Sequence, residues 1–226
     1  MNDQLTLSLT GDPAYGAEDF LVAAPNDQAM GWLDRWPDWP GNGLLVHGPS
    51  GCGKTHIAHI WQAKTGARLI KCGDLTTASV PDLAASDVAI DDCDDGRCNE
   101  AALLHLYNLA REQGHSLLLT ARRPAARWSI ALPDLASRLR ALAAVEVHEP
   151  DDALLTALLV KLFQDRQLRV SEDVVKFLTV RMNRSFATAN RLVAAIDQLA
   201  LSEQHRITVP LVAETLRRLN KQDLGD

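Results

Sequence analysis

The sequence predicts an α/β fold: a parallel sheet with helices on both faces, followed by a small all-helical unit. Two observations predict it. Five short apolar runs, at 44–47, 68–72, 87–91, 116–120 and 144–148, alternate with helix-length amphipathic stretches at 54–63, 100–113 and 134–140. Strands separated by helices build a parallel sheet covered on both faces. The strand signal then stops after Glu149-Pro150-Asp151-Asp152, and helical stretches at 152–165, 172–181, 186–201 and 210–220 fill the remainder. Asp151 and Ser171 stand where N-caps belong, and Thr208 with Pro210 where a first turn would begin. The expected division is a separate N-terminal segment at 1–15, an α/β domain at 16–150 and a helical domain at 151–226.

Composition bounds the function. The chain has 226 residues, 46% hydrophobic and 23% charged, an ordinary globular balance. Its net charge of -6 lacks the Lys and Arg excess that displaces counterions from a duplex, so strong direct binding to double-stranded DNA is not expected. Cys52, Cys72, Cys93 and Cys98 show no two-residue gap of a zinc knuckle or redox motif. The expectation is buried or incidental free thiols. No basic-then-apolar leader and no run of about 20 apolar residues is evident, which excludes a membrane span and leads to a cytoplasmic expectation.

The segment Gly48-Pro49-Ser50-Gly51-Cys52-Gly53-Lys54-Thr55 fits G-x-x-x-x-G-K-[ST] at every fixed position, between an apolar strand and an amphipathic helix. Glycines let the backbone curl so that successive N–H groups face phosphate oxygens. The helix that begins near Lys54 adds its positive end. Lys54 can reach the β- and γ-phosphates, and the Thr55 hydroxyl can bind Mg²⁺. A nucleotide triphosphate or diphosphate is the ligand class this loop implies.

Such a site needs an acidic residue on a neighbouring strand to hold the hydrated metal. Val88-Ala89-Ile90-Asp91-Asp92 supplies it: three apolar residues bury the strand and the carboxylates emerge at its C-terminal end, where open α/β sheets bind ligands. Asp91 is assigned to Mg²⁺ through water, and Asp92 to polarising the attacking water. The competing reading is a solvated acidic loop, since Asp94 and Asp95 follow.

The stretch from Gly48 to His59, GPSGCGKTHIAH, with Ile90-Asp91-Asp92 and with Leu132-Pro133-Asp134-Leu135-Ala136-Ser137-Arg138-Leu139, resembles the AAA+ modules of the DnaA/Hda family of replication proteins. The resemblance covers nearly the whole chain and is strongest from Gly43 to Leu139. It implies an AAA+ P-loop NTPase trunk, with a five-stranded parallel sheet in the order 5-1-4-3-2, and a helical lid. The short, regulatory branch of the family is the better match, because no helix-turn-helix DNA-binding domain is expected after the lid. That branch implies ADP or ATP with Mg²⁺ as ligands, and as partners the β sliding clamp of DNA polymerase III and the AAA+ domain of DnaA, whose bound ATP it causes to be hydrolysed. A homo-oligomer is a further possibility.

Gln4-Leu5-Thr6-Leu7-Ser8-Leu9 resembles the clamp-binding peptide of that branch. Leu5, Leu7 and Leu9 could seat in a groove while Gln4 makes directional hydrogen bonds. Pattern alone serves equally well for an N-terminal strand packed on its own domain. Arg138 resembles the arginine finger, and in this reading acts in trans on ATP held by DnaA. Val22 and Asn26, in the segment from Phe20 to Asn26, resemble the part that wraps the base, although core packing explains the apolar residues equally well.

The family pattern fails in two places. Arg122 stands where an Asp is usual after the fourth strand, and Asn190 falls where a lid arginine belongs, with Arg191 about 100° around the helix. Both departures argue for weak intrinsic hydrolysis rather than against nucleotide binding. Arg191 could still bend in to the nucleotide. Trp32, Trp36 and Trp39 read as packing anchors, and a metal role for His47, His56 and His59 is not expected. Two other functions stay open: an autonomous AAA+ ATPase or loader in DNA replication, and an interaction module with nucleotide as a structural ligand.

Overall fold

The computed structural model describes residues 20–203 and 206–223. The expected clamp-binding residues Gln4, Leu5, Leu7 and Leu9 lie outside the described residues.

Five parallel strands form the trunk: β1 (Gly43–His47), β2 (Arg68–Lys71), β3 (Val88–Asp91), β4 (Leu117–Ala121) and β5 (Ala143–Glu146). They lie in the order β2-β3-β4-β1-β5, the expected 5-1-4-3-2 read from the other edge. The three central strands are covered on both faces, which is why they read as unbroken apolar runs rather than alternating ones. Alternate residues of each strand feed two cores. Leu45, Ile90 and Leu119 face α3 (Val80–Leu83), α4 (Glu100–Glu112) and α5 (Pro133–Arg140). Leu44, Val46, Ala89 and Leu118 face α1 (Asp27–Asp34) and α2 (Lys54–Thr65).

The tryptophans behave as packing anchors. Trp39 stacks on Trp61 with centroids 5.2 Å apart, and Trp36 meets Trp61 edge-on at 6.5 Å. The indole N–H of Trp39 donates to the Trp32 carbonyl and that of Trp36 to the Ser116 hydroxyl, while the buried Trp61 N–H has no partner among the described residues.

The lid comprises α6 (Asp152–Asp165), α7 (Glu172–Arg181), α8 (Phe186–Glu203) and α9 (Val209–Asp223) around its own core, which includes Leu159, Phe163, Leu178, Leu192 and Ile196. Asp151 caps α6 as expected, accepting from the Leu154 N–H at 2.7 Å. Ser171 occupies the N-cap position of α7, but its side chain makes no capping bond. Among the described residues no helix is long and apolar enough to cross a membrane.

Periodicity did not reveal α1 and α3. They are eight and four residues long, α1 carries a glycine, and both are too short to show a repeating apolar face. The expectation of four free thiols is corrected as well. Cys72 and Cys98 form a disulfide with Cα atoms 4.9 Å apart, while Cys52 and Cys93 are free and buried. A separation of 26 residues carries no local signal. Parallel pairing of β2 with β3 brings both chain ends to the same corner.

Candidate functional site

Parallel strands deliver their C-terminal ends to one edge of the sheet, and there the charged and hydroxyl residues converge. The loop after β1 is pinned at its start, where the Gly48 N–H donates to the Ala121 carbonyl at the end of β4, 3.1 Å away. Gly48 and Gly51 must be glycine. Both have positive φ; a Cβ on Gly48 would strike the Val147 carbonyl, and one on Gly51 the Ser185 hydroxyl of the lid. The loop then enters α2 at Lys54.

Lys54 is buried, and its ammonium donates to the carbonyls of Gly48 (2.9 Å) and Pro49 (2.7 Å). It therefore sits inside the curl of the loop, poised to exchange carbonyl partners for phosphate oxygens. Cys52 points inward beside it. Burial pushes the Cys52 thiol up despite the nearby ammonium, so it stays a protonated spacer and not a nucleophile. Burial likewise lowers His47, with Glu146 opposing and His148 and Lys54 adding to the effect.

At the next residue of α2, the Thr55 hydroxyl donates to Asp91 Oδ2 at 2.9 Å. The other Asp91 oxygen accepts from the Thr120 hydroxyl of β4. Asp91 is 4% exposed, so the two hydroxyls hold a buried carboxylate in place. Asp92 follows with φ +57, a left-handed conformation secured by its own N–H donating to Thr120 Oγ1 at 3.1 Å. That turn directs the Asp92 side chain into the cavity.

The cavity, about 430 Å³, is walled by Ser50, Gly51, Lys54, Thr55 and Asp92 from the trunk and by Asn190 and Arg191 from the lid. His56, Arg122 and Phe186 also line it. The lid touches the loop directly: the Phe186 N–H donates to the Gly51 carbonyl at 2.9 Å. Phe20 lies between, stacked on Phe186 at 6.3 Å and edge-on to His56 at 4.9 Å. Asn190 turns its amide back to the Phe186 carbonyl (3.0 Å). Arg191 is at the wall of the cavity in spite of its offset on the helix.

Other expected positions lie apart from this set. Asn26 is buried, accepting from the Ala23 N–H and donating to the Leu21 carbonyl, both at 2.9 Å; its amide shapes the entering segment. Val22 is 58% exposed, and neither residue lines the cavity. Arg138 is on α5, outside the cavity. Its guanidinium donates to Asp134 at 3.1 Å and rests 5.6 Å above the Tyr107 ring of α4, with the side chain 31% exposed.

Sequence reasoning passed over four contributors. Thr120 ties both aspartates to β4. Asp94 accepts from the Arg122 N–H (2.9 Å) and Arg123 Nε (3.3 Å), joining the acidic loop to the loop after β4. Phe186 and Ser185 seat the lid. Knowing that β4 neighbours both β1 and β3 would have singled out Thr120, the residue before the last of that strand.

Comparisons with known proteins agree with this architecture. Residues 151–216 match the family described as "Hda, lid domain". Domain III of the replication initiation protein DnaA from Thermotoga maritima superposes with a TM-score of 0.76 at 17% identity, covering 92% of this chain and 97% of that one. AMPPCP-bound DnaA from Aquifex aeolicus gives 0.68 at 17% identity over 85% of this chain and 69% of that one. A mutant of RuvB from Thermotoga maritima gives 0.70 at 19% identity, over 87% and 68%.

Proposed function

We propose, from the premise that this chain is a Hda/DnaA-like AAA+ protein, that it binds an adenine nucleotide in the cavity between trunk and lid and regulates the initiation of chromosomal replication. The observation that carries the reading is the separation of two parts. Lys54, Thr55, Asp91 and Asp92 gather at one edge of the trunk, while Arg138 stands apart from them, beside Asp134 and Tyr107. A guanidinium so placed serves a triphosphate held by another molecule. We assign that triphosphate to DnaA, and the residues from Gln4 to Leu9 to the sliding clamp that would bring the two together.

The bound nucleotide would lay its phosphates along the N–H groups of residues 50–55, with Lys54 exchanging its two carbonyl partners for the β- and γ-phosphates. The residues present also fit Mg²⁺. Thr55 Oγ1 and Asp91 Oδ2 are hard oxygen donors 2.9 Å apart, the pairing this ion takes beside phosphate. When bound, the ion would neutralise phosphate charge. Arg138, in trans, would neutralise charge that moves to the leaving phosphate, a contribution worth about 10³–10⁵ in rate in related phosphoryl transfers. Asp134 and the Tyr107 ring give the guanidinium its resting contacts on the surface of α4 and α5.

The test is hydrolysis of DnaA-bound ATP on a clamp-loaded DNA, with and without this protein. Arg138→Ala should leave clamp binding and nucleotide binding intact and remove the stimulation. Gln4→Ala should remove clamp binding and stimulation together. An Arg138→Ala protein that stimulates as well as the parent would defeat the reading.

A second reading, an autonomous AAA+ ATPase, draws on one observation: Lys54, Thr55 and Asp92 border one cavity, with Asp91 directly behind Thr55. Robust steady-state turnover by the chain alone, lost in Lys54→Ala, would favour it. Arg122 in the cavity wall, where the family has an acidic residue, argues for slow turnover.

A further inference from the structure

We infer that Cys72 and Cys98 form a reversible thiol–disulfide switch that fixes the loop between the nucleotide site and the finger helix. Three sets of contacts place that loop, residues 92–99, between the two. At its start, Asp92 enters the cavity and Asp94 holds the N–H of Arg122, another cavity residue. At its end, Cys98 stands two residues before Glu100, whose carboxylate accepts from the N–H groups of Ala131 (2.9 Å) and Leu132 (2.8 Å). Those two residues lead into α5, which carries Arg138. The third contact is the disulfide itself, which clips the loop to Cys72 at the end of β2. Cut the clip, and the start of the loop stays held by the N–H groups of Asp92 and Cys93 on Thr120 and by Asp94, and its end by the Asn99 cap, whose side chain accepts from the Ala102 N–H at 3.0 Å, while residues 95–98 between them are left with the local Asp95–Arg97 pair.

The chemistry needs one reachable sulfur and no competing thiol. Cys72 is fully buried, but Cys98 is half-buried and lines a cavity of about 180 Å³ shared with Asp94, Arg123 and Trp128. Cys93 lines the same cavity, but it is buried and its thiol donates to the Ile90 carbonyl at 3.3 Å, which turns the sulfur to the backbone of its own strand. In the oxidising direction, the Cys98 thiolate attacks glutathione disulfide and releases one glutathione thiolate. The Cys72 thiolate then attacks the Cys98 sulfur of the mixed disulfide and expels the second. Two electrons pass to glutathione disulfide, and the two protons lost by the protein thiols end on two glutathione molecules. An excess of glutathione reverses both steps. Disulfides that form in reducing compartments are as a rule transient or redox-sensing.

The experiment equilibrates the full chain, in a Cys93→Ala background, with glutathione at several reduced-to-oxidised ratios, then alkylates and digests with trypsin. Cleavage after Lys71, Arg97 and Arg111 gives peptides 72–97 and 98–111, which stay joined only through Cys72–Cys98. The expected result is a linked pair whose abundance falls as glutathione rises, with a loss of amide-exchange protection in residues 95–103 and 129–140 of the reduced form. Cys98→Ser should show that loss at every ratio, and Cys72→Ala should match it. No linked pair at any ratio, or equal protection in both forms, would overturn the inference. A last arm rests on the function proposed above: reduction should lower the stimulation of DnaA-bound ATP hydrolysis while nucleotide affinity holds. If neither form stimulates, that function fails, and the first two arms still decide the switch.

Discussion

Asp92 shows how a single residue's backbone can serve a site. Its φ of +57 is uncommon outside glycine, and the structure holds it there through the Thr120 hydroxyl. Asp92→Gly should therefore raise stability in urea unfolding, by about 0.5–1 kcal/mol, while removing the charge proposed to polarise water. A drop in stability would mean that the Asp92 side chain supplies more than the strain costs. Thr120 is the more exposed dependency. Thr120→Val removes one of the two hydroxyls that donate to the buried Asp91 carboxylate, and leaves the Asp92 N–H without its acceptor. The expected loss is about 2 kcal/mol, read from the shift of the urea midpoint. His47 gives a pH signature. Its folded pKa lies below 6.5 because burial disfavours the imidazolium, so the unfolded chain binds more protons in that window. Its contribution is fully present above pH 6.5 and is lost as pH falls through the folded value. His47→Gln should flatten that part of the stability profile; an unchanged slope would assign it to other groups.

At the scale of elements, legibility followed length and periodicity. The five strands and the helices after residue 53, α3 excepted, were readable because each is an apolar run or an amphipathic repeat bounded by Gly, Pro or Asp. The phosphate loop was readable because its glycines and Lys54 have fixed spacing. What escaped were features that depend on which elements become neighbours: Thr120 against Asp91, Asp94 against Arg122, Ser185 against Gly51, and Cys72 against Cys98. None of these pairs lies within one element, so no local pattern marks it. The disulfide is the largest of these in energy. Closing a loop of 26 residues restricts the unfolded chain by about 3.5 kcal/mol in the chain-entropy description. Thermal unfolding under dithiothreitol should then show a midpoint several degrees below that of the oxidised protein. An identical midpoint would mean that strain or residual structure offsets the whole effect.

Across the whole molecule, the trunk and the lid have separate cores that meet at very few points. Phe186 N–H bonds the Gly51 carbonyl, Ser185 lies against Gly51, and the entering chain places Phe20 in the trunk core and Leu21 against the lid. All of these contacts border or adjoin the cavity. A ligand there would touch both domains, through Lys54 and Thr55 on one side and Arg191 on the other. Two cores joined so narrowly should unfold in separate steps, since cooperativity follows from shared buried surface. Calorimetry of the nucleotide-free protein is expected to resolve two transitions, one for the trunk and one for the lid. ADP at a hundred times its dissociation constant adds about 2.7 kcal/mol to whatever state binds it. Because the binding state needs both walls, ADP should raise both transitions and draw them together, and Phe186→Ala should lower affinity and leave the transitions apart. Should ADP raise the trunk transition alone, the lid would be a bystander to the nucleotide, and the coupling from site to surface would have to run through the sheet and the loop of residues 92–99.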